Sequence, residues 1–514
     1  MILIWLVLVF VLALLVSMLV TPLVIRGATA LSLYDSPDGG RRLHALPVPR
    51  FGGVAVFAGA SLASALVLGI AGDTLFPVGL SGADARYLAG IFAGASLLFF
   101  VGALDDIRTL SPGTKLVAQL IAAGIAVYGG VRIENLTLGY GVGVNVGILA
   151  YPLVVVWIVG VTNAYNLIDG LNGLAGGIAI VACSTLVIVS VALGNNIALI
   201  PSLAIAGAML GFLRYNFPTA RVFLGDSGSL SVGFLLSVLS LKAAQVPGPS
   251  VLAVVPLLTL FVPLLDTLLS MIRRWLRNVP LSGADARHIH HRLLALGLSQ
   301  ERTAMVLWGM AAAMAVFGLL IALTAPFVAA SIAILGLVGL SLMVIYGTNL
   351  LSYHEFIVAG EVLLSAPSRV RRVISDQIVA LDANVQIENA RGLDTIQSIL
   401  SATAVRFGFL HMRLINSQMP ESDYELPAEE WAWKLEYPLR TGLPEKSAPT
   451  SVLAIWCSAE HNVRPYGAER AAKILAPALE KWIVAAEGHN QDVVAKPAAR
   501  KRSFVTRRMG NLSS

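Results

Sequence analysis

Asn163-Ala-Tyr-Asn-Leu-Ile-Asp-Gly-Leu-Asn-Gly-Leu-Ala-Gly-Gly177 decides how this chain is read. The apolar run Leu153 to Val161 precedes it and another, Ile178 to Leu193, follows. Three asparagines, one aspartate and four glycines therefore stand at the mouth of a membrane. Glycine lets the backbone turn and approach a ligand closely, and Asp and Asn offer oxygen ligands to a hard cation. A hairpin turn between two spanning helices would use the same residue types. A plain turn seldom takes fifteen residues with so many amides and a carboxylate.

The composition around this stretch belongs to a polytopic membrane protein. Of 514 residues, 56% are hydrophobic and 13% charged, with a mean hydropathy of +0.77. The net charge of +6 is modest and lies largely in loops and the last twenty residues. It suits a face turned to anionic lipid or phosphate rather than nucleic acid. Two cysteines, Cys183 and Cys457, give no disulfide framework.

Apolar windows of ~20 residues predict spans at 2–24, 51–71, 86–104, 115–130, 147–162, 176–193, 197–213, 229–245, 251–272, 303–323 and 326–346. The first lacks a basic leader and reads as an uncleaved helix with its N-terminus outside. Orientation follows from positive charge in short loops. One set of loops holds Arg26, Arg41, Arg42, Arg50, Arg108, Lys115, Arg214, Arg221, Arg273, Arg274, Arg277, Arg287, Arg292 and Arg302; the other has little beyond Arg86, Arg132 and Lys242. The expected fold is thus an all-α polytopic membrane protein of about 11 transmembrane helices, N-terminus out and C-terminus in, in the cell (inner) membrane. Every polar motif then falls on the cytoplasmic face.

Those motifs come in order. The first cytoplasmic loop, Arg26 to Arg50, carries Arg42, His44 and Arg50 among prolines and glycines; these could meet phosphates or be a solvated basic loop. Gly102-Ala-Leu-Asp-Asp106 ends a span with two adjacent carboxylates, a pair that suits metal binding or acid–base work as well as exposure to water. Phe223-Leu-Gly-Asp-Ser-Gly-Ser229 puts Asp226 near a helix N-terminus, where an anion is favoured. With Asp105, Asp106 and Asp169 on the same face, a Mg²⁺ site becomes the better account. Asp266 is an intramembrane carboxylate, either functional or paired with a nearby arginine. Arg287-His-Ile-His-His-Arg292 lacks the spacing of a structural zinc site and fits a polyanion better.

Beyond residue 350 the charge becomes that of a soluble protein. Ser352–Ala366 reads as an interfacial amphipathic helix. Strands are expected at Arg406–Ile415, Trp431–Leu439 and Ser451–Cys457, between helical patterns near Leu393–Leu400 and Ile474–Ile483. The division is therefore a transmembrane domain over 1–350, a small α+β soluble C-terminal domain over 351–490, and a basic disordered tail over 491–514.

PRFGG, GALDD, NAYNLIDGLNGLAGG, FLGDSGS and HIHHRL, in that order over about residues 1–345, resemble the polyprenyl-phosphate N-acetylhexosamine-1-phosphate transferases, the glycosyltransferase 4 superfamily of the WecA, TagO and MraY enzymes. The resemblance implies transfer of a sugar 1-phosphate from a UDP-N-acetylhexosamine to a membrane polyprenyl phosphate, with release of UMP and a need for Mg²⁺, Mn²⁺ being a conceivable substitute. It implies Asp226 and Asn166 as metal ligands, and Asp105, Asp106, Asp169, His290 and His291 in catalysis. Substrate would be met by Asn172, Phe223 (stacking on uracil), His288, Arg292, His44 and Lys115. Asn172 departs from the pattern, since many relatives have Asp there. The HIHH motif looks like the WecA branch, favouring UDP-GlcNAc over the phospho-MurNAc-pentapeptide reaction. Partners are then the nucleotide sugar, the lipid phosphate and the bilayer, with no nucleic acid and a homodimer left open. Two other classes, a nucleotide-sugar or lipid carrier and a membrane-anchored sensor working through its tail, are the rivals.

Overall fold

The computed structural model describes residues 2–31, 33–35, 48–76, 79–133, 135–137, 143–245, 251–252, 254–279, 288–324, 370–416, 433–439, 451–457, 465–488 and 505–507, with isolated positions from 328 to 339. The chain forms two compact units, the first of Met1–Met271 with Ser282–Gly347, the second of Ile272–Leu281 with Thr348–Ser514.

The first unit is mostly helical: α1 (Ile2–Ala30), α2 (Gly52–Leu75), α3 (Gly82–Ile107), α4 (Pro112–Tyr128), α5 (Ala150–Ile168), α6 (Leu174–Ala192), α7 (Asn196–Asn216), α8 (Gly225–Ala243), α9 (Val254–Thr259), α10 (Phe261–Leu276, of which the residues from Ile272 on belong to the second unit), α11 (Ile289–Ala295) and α12 (Gln300–Leu323). Seven helices among the described residues, α1, α2, α3, α5, α6, α7 and α12, are long and apolar enough to cross a bilayer. The chain is thus a multi-pass membrane protein. Starts follow local chemistry: Ser81 caps α3 through Asp84 N–H, and Ser111 with Pro112 starts α4.

Four expected spans need comment. The window 115–130 is α4, apolar but only 17 residues long. The window 251–272 is not one helix, because Pro263 cannot donate to the Thr259 carbonyl and the chain turns at Leu260 between α9 and α10. The window 229–245 is helix α8, which carries Ser227, Ser229, Ser231, Ser237 and Ser240, all buried. Ser231, Ser237 and Ser240 donate back to backbone carbonyls within α8, so these three hydroxyls are satisfied inside the helix. Packed against α2, α3, α5, α6 and α7, α8 has little need of the hydropathy of a lipid-facing span. The window 326–346 falls almost wholly outside the described residues, as do His44, Arg287 and Ser352–Ala366.

Short strands sit in the loops: β1 (Tyr34–Asp35) pairs with β2 (Val48–Pro49), and β3 (Asn135–Thr137) lies between β4 (Gly143–Asn145) and β5 (Val251–Leu252).

In the second unit, α13 (Val370–Glu388), α14 (Leu393–Phe407) and α15 (Pro465–Gly488) accompany a sheet of β6 (His411–Asn416), β7 (Trp433–Pro438), β8 (Ser451–Cys457) and β9 (Val505–Arg507), in the order β6-β8-β7-β9. All its pairings are antiparallel. Met412, Leu414, Leu435, Leu453 and Ile455 cluster with Ile396, Leu400, Leu475 and Leu479, the alternation putting one sheet face on the helices. Strands β7 and β8 fall where the alternation predicts them, but Arg406–Phe407 still belongs to α14. Val505–Arg507 is a paired strand inside the stretch expected to be unstructured.

Candidate active site

The site is built at one end of the first unit, where α3, α4, α5 and α8 meet. The Pro-Arg-Phe-Gly-Gly stretch makes a short ladder with the segment before α8. Phe223 N–H donates to Pro49 O (2.9 Å), Gly52 N–H to Phe223 O (2.8 Å) and Gly53 N–H to Leu224 O (2.7 Å). Phe51 takes a left-handed backbone at φ 86° to enter α2. A Cβ on Gly53 would collide with the Gly228 backbone, and one on Gly102 with the Asp226 carbonyl. These two glycines let α2 and α3 come close enough to grip the start of α8.

The paired aspartates at the end of α3 have separate roles in the geometry. Asp106 accepts the backbone N–H of Asp226 (2.8 Å) and of Ser227 (3.1 Å), so its carboxylate caps α8. Asp105 accepts Leu110 N–H at 2.7 Å, and its other oxygen lies 3.4 Å from Lys115 Nζ. Lys115 Nζ is also 2.9 Å from Asp226 Oδ2. One ammonium thus bridges two carboxylates from different helices. Asn166, near the end of α5, donates from Nδ2 to Asp226 Oδ1 (3.2 Å) and Ser229 Oγ (2.7 Å). One turn earlier, Asn163 exchanges amide hydrogen bonds with Gln119 of α4 (2.7 and 3.1 Å).

Among the described residues, no three His, Cys, Asp or Glu side chains gather as a metal group. Mg²⁺ does not require that, because it is usually held by one or two carboxylates, with substrate phosphates and water completing the shell. Asp105 and Asp226 already share a cationic group in Lys115, and that donor set fits such an ion. Asn166 stands beside Asp226 and turns its NH₂ group to it, so it supports that carboxylate in the observed geometry.

The turn between α5 and α6 carries Asp169, Gly170, Leu171, Asn172 and Gly173. Burial, and then the nearby charges of Asp226 and Asp106, push the Asp169 carboxyl well above the usual carboxylate range. Gly173 (φ 72°) begins α6 and donates its N–H to Asn216 Oδ1 at 2.8 Å, while Asn216 Nδ2 donates to Val222 O at 2.8 Å. Asn216 therefore ties the Asp169 turn to the loop leading into α8. Its one signal in the sequence is an amide closing the apolar helix α7, outside every motif named above. Asn172 donates to Pro218 O at 3.3 Å.

The histidine motif docks on the same turn. His288 Nδ1 is 2.9 Å from Asp266 Oδ2, and Ile289 N–H donates to Asp266 Oδ1 at 2.7 Å. His290 packs against Gly170, where an added Cβ would come within 2.8 Å of its Nε2. Burial pushes the His290 imidazole down to about 3, so it is neutral at physiological pH. Its Nδ1 is buried without a hydrogen-bond partner, the kind of ring nitrogen a ligand oxygen could meet. His291 lies 4.3 Å from His290 between ring centroids. Phe223 is half-buried beside the α8 start, Arg292 is in α11, and His44 lies outside the described residues.

The helical bundle, with Lys115 bridging Asp105 and Asp226 at its rim, defines a multi-pass membrane protein with a charged site at the helix ends. The family described as Glycosyl transferase family 4 matches residues 88–244. A probable undecaprenyl-phosphate N-acetylglucosaminyl 1-phosphate transferase of Bacillus subtilis (strain 168) is 37% identical over 300 residues, 58% of this chain and 80% of that protein. A decaprenyl-phosphate N-acetylglucosaminephosphotransferase of Mycobacterium tuberculosis (strain ATCC 25618 / H37Rv) is 33% identical over 301 residues, 52% of this chain and 70% of that protein. An undecaprenyl-phosphate alpha-N-acetylglucosaminyl 1-phosphate transferase of Yersinia pestis is 28% identical over 294 residues, 56% of this chain and 76% of that protein. The chain belongs to glycosyl transferase family 4.

Proposed function

We propose that the protein transfers N-acetylglucosamine 1-phosphate from UDP-GlcNAc to a polyprenyl phosphate in the bilayer. A phosphate oxygen of the lipid attacks the sugar-bearing phosphorus of the diphosphate. The new P–O bond forms as the bridging P–O bond breaks, and the electron pair departs on UMP. The observation that carries this reading is the Asp105–Lys115–Asp226 bridge at the end of a bundle of apolar helices. The names of the relatives support a GlcNAc donor over the phospho-MurNAc-pentapeptide reaction and over a carrier or sensor.

An anionic nucleophile must approach an anionic diphosphate, so the residues of the site chiefly have to manage charge. Asp226 and Asp105 would hold Mg²⁺, which when bound supplies charge neutralisation on phosphate oxygens. Lys115 donates to phosphate once its carboxylates are otherwise engaged. Asn166 and Asp106 fix Asp226, the first from its side and the second by capping α8. Asp169, Asn172 and Phe223 would line the nucleotide side. His288, His291 and Arg292 donate to the diphosphate, and neutral His290 contributes a ring nitrogen.

The wider reading is eleven spans with the N-terminus outside, the site on the cytoplasmic face of the inner membrane, and a small α+β domain of separate role after residue 350. Purified protein with Mg²⁺, undecaprenyl phosphate and UDP-GlcNAc should release UMP, and Asp226→Ala should abolish release. Failure of every UDP-sugar to yield UMP, or full activity in Asp226→Ala, refutes the transferase reading.

A further inference from the structure

Asp266 takes no part in the chemistry set out above. It lies in the apolar run Phe261-Val-Pro-Leu-Leu-Asp-Thr-Leu-Leu of α10 and is 2% exposed. An ionised carboxylate there is unfavourable unless its charge is matched, and an apolar residue of similar size would pack at least as well. Both of its oxygens are used, and both on the histidine motif. Oδ2 meets His288 Nδ1 at 2.9 Å, and Oδ1 accepts Ile289 N–H at 2.7 Å. The His288 ring lies parallel to that of His290, with centroids 5.7 Å apart and planes inclined by 2°. His290 packs in turn against Gly170, next to Asp169. A continuous set of contacts therefore runs from α10 through two imidazoles to the turn that carries Asp169.

We propose that Asp266 is a positioning residue for the histidine motif, holding one proton on His288 Nδ1 and making Nε2 basic enough to take a second proton from solvent and donate a hydrogen bond to the substrate diphosphate. A carboxylate on one ring nitrogen fixes the tautomer and orientation of an imidazole and raises the basicity of the other nitrogen. The second bond, to Ile289 N–H, fixes the backbone on which the ring is mounted, so orientation and tautomer are set by one side chain. The assignment of the diphosphate as the ligand rests on the transferase reading; the Asp266–His288 pairing does not.

The test has a spectroscopic arm and a kinetic arm. The full chain, with eight histidines, is labelled with ¹⁵N-histidine, and His288→Gln identifies the His288 signals by their loss. In the wild type, Nδ1 of His288 should be protonated, and Asp266→Ala should move the proton toward Nε2; Asp266→Asn serves in the same way if the alanine variant does not fold. In the kinetic arm, Asp266→Asn should lower kcat for UMP release by about tenfold to a hundredfold, the usual cost of losing such a partner. KM for UDP-GlcNAc should change less than about threefold, because the ring is retained and only its proton and orientation change. In a His288→Gln background, Asp266→Asn should cost less than about a further threefold. An unprotonated Nδ1 in the wild type, a His288 signal indifferent to Asp266, or independent multiplicative losses in the double variant overturns the proposal. If wild-type protein releases no UMP from any UDP-sugar, the transferase reading has failed, and the spectroscopic arm alone decides the pairing.

Discussion

Substituting Asn for Asp106 separates the two adjacent carboxylates that the sequence could not tell apart. Asp106 receives two backbone N–H groups from the first turn of α8. Hydrogen bonds to a charged acceptor contribute about 1.5–3 kcal/mol each, so the pair is worth roughly 3–6 kcal/mol before its partial exposure is allowed for. Asn retains one acceptor oxygen but sets an NH₂ group against an N–H group at the other position, leaving an expected loss of about 2–4 kcal/mol. At roughly 2 °C per kcal/mol for a unit of this size, the midpoint of thermal unfolding in detergent should fall by about 4–8 °C. Asp105→Asn keeps an acceptor for Leu110 N–H and should shift the midpoint by less than about 2 °C, though UMP release falls steeply. Asp106→Asn should lower activity as well, because Asp226 stands in the turn that loses its cap. The assay is a parallel melt and UMP-release measurement on both variants. If Asp106→Asn melts within 1 °C of wild type and yet loses all turnover, Asp106 acts in the chemistry and the capping argument is wrong.

Lys115→Met leaves Asp105 and Asp226 without their shared cation; in a Mg²⁺ titration of UMP release, half-saturation should move to lower concentration while the maximal rate falls by at least about tenfold. For His290, the folded ring titrates near about 3 against 6.5 for the free group. Between those values the unfolded chain binds more protons, so this term erodes stability as pH falls below about 6.5, at about 1.4 kcal/mol per unit. From pH 7 to pH 5, wild type should therefore lose about 2 kcal/mol more than His290→Gln in denaturant unfolding; equal losses would show that His290 is not held neutral. Gly225→Ala meets both a backbone at φ 74° and the Asp106 carboxylate, whose oxygens lie 2.7 and 2.8 Å from the added Cβ. It should cost about 2–3 kcal/mol, whereas Gly297→Ala, at φ 91° with open space around it, should cost only the backbone term of about 1 kcal/mol in the same unfolding assay.

By itself the sequence determined that the chain is a helical membrane protein, because twenty-residue apolar windows report directly on what a bilayer requires. It also indicated which polar stretches stand at helix ends. Charged and amide-rich stretches cannot sit in hydrocarbon, so GALDD, NAYNLIDGLNG, FLGDSGS and HIHHR were bound to collect at helix ends. The division of labour among them belonged to the tertiary structure. Asp105 and Asp106 are neighbours in the chain, but helix α3 turns one toward Lys115 and the other toward the amides of α8. Local sequence carries no record of which helix faces which side chain. The same limit hid Asn216, which reaches 43 residues back to Gly173, and the Asp266 pairing with His288 across 22 residues. It also hid the reason α8 can be so rich in serine: a helix surrounded by other helices is freed from the hydropathy that lipid would demand. In the motif Asn163–Gly177, residue types announced a polar site beside the membrane. Only packing assigned Asn163 to Gln119, Asn166 to Asp226, Gly170 to His290 and Gly173 to Asn216, because each partner comes from a different helix or loop and meets the motif only when the bundle closes.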